Sequence, residues 1–212
     1  MEKDGSSPTD IMCLGCAVVY AARMPKLWSE TIEAHRRGVH EAILDTAAAL
    51  VAEHGLRGVT MARIAEKAGI ARATLYKYFS GVEAILTAWH ARHVGAHLEQ
   101  MNTLGAGTGS ARRRLEAVLR AFALIAHEHH GTELAALVHR GAHVDRARRE
   151  LGALLERLLQ QGAQAGDLRG DVAADELARY CLHAVAAADG LRSRAAVDRL
   201  IAVVLDGLRP AP

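Results

Sequence analysis

The segment from Met61 to Tyr78 restricts the fold of this chain more than any other feature, because its residue types fit two short helices joined by a tight turn. Gly69 lies between the two helical patterns and can adopt the positive φ that such a turn requires. Ala65 is small at the point where the helices would cross, and a larger side chain there would push them apart. We expect the core of this motif to contain Ile64, Ala65, Gly69 and Leu75.

The second helix of this motif can present small, hydroxyl-bearing and cationic side chains to solvent, and such side chains suit a helix that enters a DNA groove. Residues 57–80 contain five cations and one acid, whereas the whole chain has a net charge of only +2. The excess of positive charge is therefore local, and it indicates nucleic acid where the overall composition does not. Two short helices turned into a core would explain Ile64 and Leu75, but not the exposed Thr-x-Tyr-Lys-Tyr face.

Along the rest of the chain, apolar residues recur at spacings of three and four, which is typical of amphipathic helices. Aromatic residues make up only 4% of the chain and no strand pattern occurs. The glycine-rich stretch 105–110 is expected to be a linker. Helix boundaries are expected at Gly55, at the capping box of Ser80 and Glu83, and at the N-caps Thr60, Asp171 and Ser193.

The composition argues against several classes of protein. No apolar run reaches the ~18 residues that a membrane helix needs, so we expect no membrane association. Three cysteines, Cys13, Cys16 and Cys181, form no disulfide framework, and a cytoplasmic location is expected. There is no glycine-rich phosphate loop after a strand, no Gly-x-Ser-x-Gly elbow and no convincing carboxylate pair, so we expect neither an enzyme nor a cofactor.

A cluster of histidines raises the alternative of a metal sensor. His127, His129 and His130 lie close together, and His139 and His143 follow at a spacing of four residues. That spacing would put the last two on one helical face, but Gly141 between them is expected to break the helix. We therefore expect no metal, while a ligand- or metal-binding sensor whose helix-turn-helix does not bind DNA remains the alternative function.

The residues from Ala52 to Leu86, AEHGLRGVTMARIAEKAGIARATLYKYFSGVEAIL, resemble the N-terminal domain of the tetracycline-repressor (TetR) family. The resemblance is specific over about Arg36 to Val94 and only architectural beyond. It implies a homodimer of helical subunits, each with three DNA-binding helices followed by a domain that binds a small effector. It also implies a repressor that leaves a palindromic double-stranded operator when the effector, whose identity the residues do not reveal, is bound.

Together with the helical patterns, the resemblance predicts an all-α fold. An N-terminal three-helix domain with the helix-turn-helix would be joined to a C-terminal helical domain for ligand binding and dimerisation. We expect a disordered extension over residues 1–30, the DNA-binding domain over residues 31–80 and the effector and dimerisation domain over residues 81–212. Met24 is a candidate translation start, because the ordered-looking pattern begins just after it.

The resemblance also implies roles for individual residues. Thr60 would contact a phosphate, and the second motif helix would contact phosphates and base edges. The family often has Lys where this chain has Val82, so one phosphate contact is expected to be absent, and arginines at the start of helix one could replace its charge. The implied DNA-contacting residues are Arg36, Arg37, Thr60, Arg72, Thr74, Tyr76, Lys77 and Tyr78.

Two further sets of residues are expected in the C-terminal domain. The apolar stripes there could line an effector pocket, and those of the last two helices exceed what one thin bundle would cover, which favours a dimer interface. The expected pocket residues are Trp89, Phe122 and His139. The expected interface residues are Leu177, Cys181, Val185, Leu200 and Val204.

Overall fold

The computed structural model describes residues 26–128 and 141–210, and all regular structure in these ranges is helical. The all-α prediction is therefore confirmed. No helix within these ranges is long and apolar enough to cross a membrane. The α-helices are α1 (Lys26–His54), α2 (Met61–Lys67), α3 (Arg72–Tyr78), α4 (Val82–Ala106), α5 (Ala111–Glu128), α6 (Ala142–Gln164), α7 (Ala174–Ala186) and α8 (Arg194–Gly207), with 3₁₀ turns at Leu56–Gly58 and Ala187–Gly190.

The chain divides into two compact units, Met1–Glu41 and Ala42–Pro212. In the first unit the structure describes the beginning of α1, which starts at Lys26, a few residues before the expected end of the N-terminal extension. Its side chains from residue 30 to residue 38 are exposed. Cys13, Cys16 and Met24, on which the expectations about the extension depended, lie outside the described residues.

The N-terminal part of the second unit contains the end of α1 together with α2 and α3. α1 ends at His54, and Gly55 follows with a φ of 66°, as predicted for a helix stop. Lys67 Nζ on α2 lies 2.7 Å from Glu53 Oε1 on α1. The fully or almost fully buried side chains of this part and of the start of α4 include Ile43, Leu44, Ala47, Leu50, Ile64, Ala65, Leu75, Ile85 and Leu86.

The helices α4 to α8 share one hydrophobic cluster. α6 packs against α4, α5 and α7, while α8 packs against α5 and α7. Burial of each leucine of the α6 stripe stabilises the bundle by about 1.5–3 kcal/mol relative to an exposed leucine. This stripe, predicted from its spacing, consists of Leu151, Leu154, Leu155, Leu158 and Leu159.

The structure corrects two of the expected caps and confirms two others. α4 begins after Gly81, which makes no side-chain capping bond, so the capping box predicted at Ser80 is wrong. α7 begins after Ala173, and Asp171 instead pairs with Arg169, whose Nη2 lies 2.7 Å from Asp171 Oδ2. The side-chain oxygens of Thr60 and Ser193 do accept capping hydrogen bonds, from the backbone N–H groups of Arg63 and Ala196.

The expected linker at residues 105–110 is shorter than predicted, because α4 continues to Ala106. Gly105 is buried, and a Cβ atom there would lie 2.7 Å from Leu154 Cδ1 on α6. The glycine therefore allows two helices to approach closely. The loop that remains joins α4 to α5, two helices that pack against each other in the same bundle.

Candidate nucleic-acid interface

The two helices α2 and α3 are joined by a tight turn at Gly69. Gly69 has a φ of 67°, its N–H donates to the Glu66 carbonyl at 3.1 Å, and the Ile70 N–H donates to the Ala65 carbonyl at 3.0 Å. A Cβ atom at Gly69 would have no heavy atom within 4 Å. The need for glycine is therefore conformational rather than steric, since other residues rarely adopt this φ.

Three apolar side chains are buried where these two helices meet. Ile64 and Leu75 have no exposed surface and Ala65 is 1% exposed. Leu75 is the only buried residue of α3, so the orientation of this helix depends on one side chain to a large extent. Because Leu75 faces inward, the opposite side of α3 faces solvent.

The outward side of α3 carries the side chains that were expected to contact DNA. Arg72 and Lys77 are exposed, and Tyr76 is 52% exposed. Thr74 and Tyr78 are half-buried beside them. The side of α3 that faces solvent therefore presents two cations and a phenol next to a hydroxyl-bearing residue, which is a set of donors suited to phosphates and base edges.

Not all of the nearby positive charge is available for a partner. Arg63 Nη1 donates to the Gly58 carbonyl at 2.8 Å, and Lys67 pairs with Glu53. The hydrogen bond from Lys67 and the charge of its ammonium group lower the pKa of the Glu53 carboxyl. By contrast, the described residues offer no ion-pair partner to three cations of this region, Arg57, Arg72 and Lys77.

Thr60 caps α2 and still offers a hydrogen-bond donor. Its Oγ1 accepts a hydrogen bond from the Arg63 N–H at 3.3 Å, which leaves its hydroxyl proton able to donate to another group. Val82, at the first position of α4, is half-buried. Arg36 and Arg37 belong to the first compact unit, where both are exposed and Arg36 Nη1 lies 3.9 Å from Glu33 Oε1.

Comparisons with known proteins agree with this geometry. Residues 43–88 match the family described as bacterial regulatory proteins, tetR family, and residues 110–210 match the C-terminal domain of SbtR-like transcriptional regulators. The two matches together span more than two thirds of the chain. This chain belongs to the TetR family. It is therefore a DNA-binding transcriptional regulator and not an enzyme, and the alternative of a sensor without a DNA function is not supported.

One individual relative and two solved structures share between 20% and 26% sequence identity with this chain. A fatty acid metabolism regulator protein from Bacillus subtilis (strain 168) is 26% identical over 142 residues, which are 63% of this chain and 73% of that protein. A TetR/AcrR family regulator from Thermobifida fusca YX-ER1 superposes with a TM-score of 0.69 at 24% identity, over 80% of this chain and 98% of its own. The regulator FadR from Bacillus subtilis, in complex with stearoyl-CoA, superposes with a TM-score of 0.59 at 20% identity, over 80% of this chain and 99% of its own. At these identities the two structures show the shared fold.

TetR family regulators are typically dimers, but most of the residues expected at the interface are buried within this single chain. Leu177 is 7% exposed, Cys181 and Val185 are 0% exposed, and Val204 is 1% exposed. Side chains that the chain's own core covers present little surface to a second chain, and the assignment of these residues to a dimer interface stays a prediction. Leu200 is half-buried, and the exposed large apolar side chains of the same two helices are Tyr180 and Val203.

The expected effector-pocket residues are only partly described. Trp89 is half-buried and its ring lies 4.3 Å from that of His93, between centroids, while Phe122 packs against the edge of the hydrophobic cluster. His139 lies outside the described residues, as do His129 and His130. A groove of about 540 Å³ between α4 and α6 contains neither Trp89 nor Phe122 in its walls.

The structure brings one pair of histidines together that sequence patterns did not predict. His90 Nδ1 on α4 lies 2.7 Å from His143 Nε2 on α6. His143 was considered with the histidines near it in sequence, whereas its partner is 53 residues away. In the part of the chain that the structure describes, no group of three or more His, Cys, Asp or Glu side chains is placed to hold a metal ion.

Proposed function

We propose that this TetR family regulator is a homodimeric repressor that binds a palindromic operator through α3 and is released by a small-molecule effector. The observation that carries the proposal is the joint exposure of Arg72, Tyr76 and Lys77 on a helix that buried Leu75 anchors to the core. We assign DNA binding to residues 31–80, and effector binding and dimerisation to residues 81–212.

The contacts with DNA divide into two kinds. Lys77, Tyr78 and Thr60 donate to phosphates, which position the protein without reading sequence. Arg72 and Tyr76 lie nearer to base edges in the major groove, and Thr74 lies with Arg72 on the groove face of the same helix. An arginine that is bidentate to guanine discriminates against other bases by about 1–3 kcal/mol. Arg36 and Arg37 add positive charge for the DNA backbone.

A dimer explains why the operator is expected to be palindromic. A twofold axis presents two copies of α3, and these fit successive major grooves when they lie about 34 Å apart. We place the interface on the outward surface of α7 and α8, around Tyr180 and Val203, because these two side chains expose apolar surface there. Leu200, which is half-buried, lies at the edge of this surface.

The effector is proposed to bind in the C-terminal domain, where Trp89, Phe122 and His139 remain candidate contacts. A relative named for fatty acid metabolism and a fold relative solved with stearoyl-CoA make long-chain acyl-CoA thioesters the first compounds to test. Effector and operator must weaken each other by the same factor, because coupling between two binding equilibria is reciprocal. Such a regulator acts on the chromosome, which in a bacterial cell lies in the cytoplasm.

The proposal is tested with operator-binding isotherms at several salt concentrations, on the upstream DNA of the gene and on a scrambled sequence. Lys77→Ala should weaken binding to both DNAs and reduce the salt slope by about one unit per lost phosphate contact. Arg72→Ala should cost about 1–3 kcal/mol per half-site on the operator and relax discrimination at one position.

The matched control is Arg148→Ala, which removes the same charge from an exposed arginine on α6. It should leave the isotherms unchanged within error. If Arg72→Ala, Tyr76→Ala and Lys77→Ala all bind the operator like the parent protein, the assignment of the DNA surface is wrong. In a separate titration, an acyl-CoA that binds the protein should lower operator affinity, whereas free coenzyme A serves as its control.

A further inference from the structure

The side chains of His90 and His143 connect α4 to α6 through a contact between their two imidazole rings. His90 is only 9% exposed, and His143 lies in the first turn of α6 and is half-buried. The ring centroids are 5.0 Å apart and the ring planes meet at 74°, so the rings touch edge to face. The nitrogen atoms that meet, His90 Nδ1 and His143 Nε2, are 2.7 Å apart.

Two imidazole nitrogens that converge from separate helices are a donor set for zinc, copper and nickel ions. In a tetrahedral site with metal–nitrogen distances of about 2.0–2.1 Å, two ligand nitrogens lie roughly 3.3 Å apart. The observed separation of 2.7 Å must therefore open by roughly half an ångström, which small rotations of the two rings can supply.

The histidine pair lies beside a groove. His143 lines the groove of about 540 Å³ between α4 and α6. The walls of the same groove contain oxygen-bearing side chains from both helices, namely Glu99, Asn102 and Glu150, and the Glu150 carboxylate pairs there with Arg146 at 2.7 Å. No third protein ligand is in position in the described part of the chain, so water molecules would complete the coordination.

We propose that His90 and His143 bind a divalent transition-metal ion, through Nδ1 and Nε2 respectively, and that the ion ties α4 to α6. In the neutral hydrogen-bonded pair one of these nitrogens carries a proton and the other accepts it. On metal binding that proton moves to the second nitrogen of its own ring, so both converging nitrogens become ligands and the pair releases no proton. The site does not depend on the proposed operator or effector.

A second pair on α4 is the competing location. His93 and His97 are one helical turn apart, and their ring centroids are 6.4 Å apart. This separation is larger than that of the first pair, and the ring of His93 packs beside Trp89 at 4.3 Å between centroids. The two converging nitrogens of the interhelical pair are closer to the geometry of a chelate.

The test is a calorimetric titration of the untagged full chain with Zn²⁺, compared with His143→Gln, His90→Gln and the control His93→Ala/His97→Ala. Each glutamine variant is expected to lose one equivalent of bound Zn²⁺, or to bind it at least about tenfold more weakly, since even the loss of a residue behind a ligand costs 10–100-fold. The control should bind like the parent. With Cu²⁺ added at one equivalent, electron paramagnetic resonance should show coupling to two nitrogens, and to fewer in His143→Gln.

Thermal melting without metal identifies a variant that fails to fold. If His90→Gln melts early because His90 is buried, the Zn²⁺ titration of His143→Gln, at a half-buried position, decides the result. Parent-like Zn²⁺ binding by His143→Gln would overturn the proposal. So would an equal loss of Zn²⁺ in the His93→Ala/His97→Ala control, or the absence of Zn²⁺ binding by the parent at millimolar concentration.

Discussion

Replacing Leu75 by alanine should destabilise the fold without removing a side chain that is expected to contact DNA. Leu75 has no exposed surface and is the only buried residue of α3. The substitution removes three carbon atoms from the core, and at about 0.8 kcal/mol for each, transfer alone amounts to about 2.4 kcal/mol. The cavity that remains adds to this loss, so we expect destabilisation by about 3–5 kcal/mol. A loss of 3 kcal/mol lowers the folding equilibrium constant by about a hundredfold.

The assay combines urea unfolding with hydrogen exchange of the α3 amides, including the Phe79 N–H, which donates to the Leu75 carbonyl at 3.0 Å. The control is the next residue, Tyr76, which is 52% exposed. Tyr76→Ala should change stability by less than about 0.5 kcal/mol and still weaken operator binding. If Leu75→Ala costs less than about 1 kcal/mol, or if both variants lose stability equally, the assignment of inner and outer faces on α3 is refuted.

Further predictions concern Val203, Cys181 and Glu53. Val203→Glu places a charge at a 66% exposed position on α8 and should sediment as a monomer that binds operator weakly. The control Ala96→Glu, at an exposed position on α4, should stay dimeric. A dimeric Val203→Glu variant would contradict the proposed interface. Burial raises the pKa of the Cys181 thiol to about 12, so it should resist thiol reagents at about pH 8 in the folded protein. Because the unfolded thiol ionises near pH 8.5, stability should fall as the pH rises above that value, and this loss should be absent in Cys181→Ala. The hydrogen bond from Lys67 lowers the pKa of the Glu53 carboxyl. The stabilisation that this ion pair gives the fold should be complete above the ordinary carboxyl pKa of about 4.3 and should disappear as the pH falls through the lowered pKa. Urea titrations of Glu53→Gln should lack this acid dependence.

The features that sequence predicted well depend on local interactions. The cap at Thr60 joins residues three apart, the turn at Gly69 depends on the φ of one residue, and the α6 stripe follows from the helical period. Each of these signals lies within a few residues of the structure that it specifies. The cap predicted at Asp171 was wrong, because the helix begins after Ala173, two residues later, and the Asp171 carboxylate pairs with Arg169.

By itself, the sequence determined that the chain is helical, that residues 61–78 form a helix-turn-helix and that one side of its second helix is cationic. Only the tertiary structure decided which apolar residues of α7 and α8 face their own core, because one apolar stripe suits a bundle core and a dimer interface equally well. The close approach of α4 and α6 at Gly105 and the meeting of His90 with His143 were likewise decided by packing. Both contacts join residues that lie about fifty positions apart in the sequence, so the residue pattern of a single helix cannot predict them.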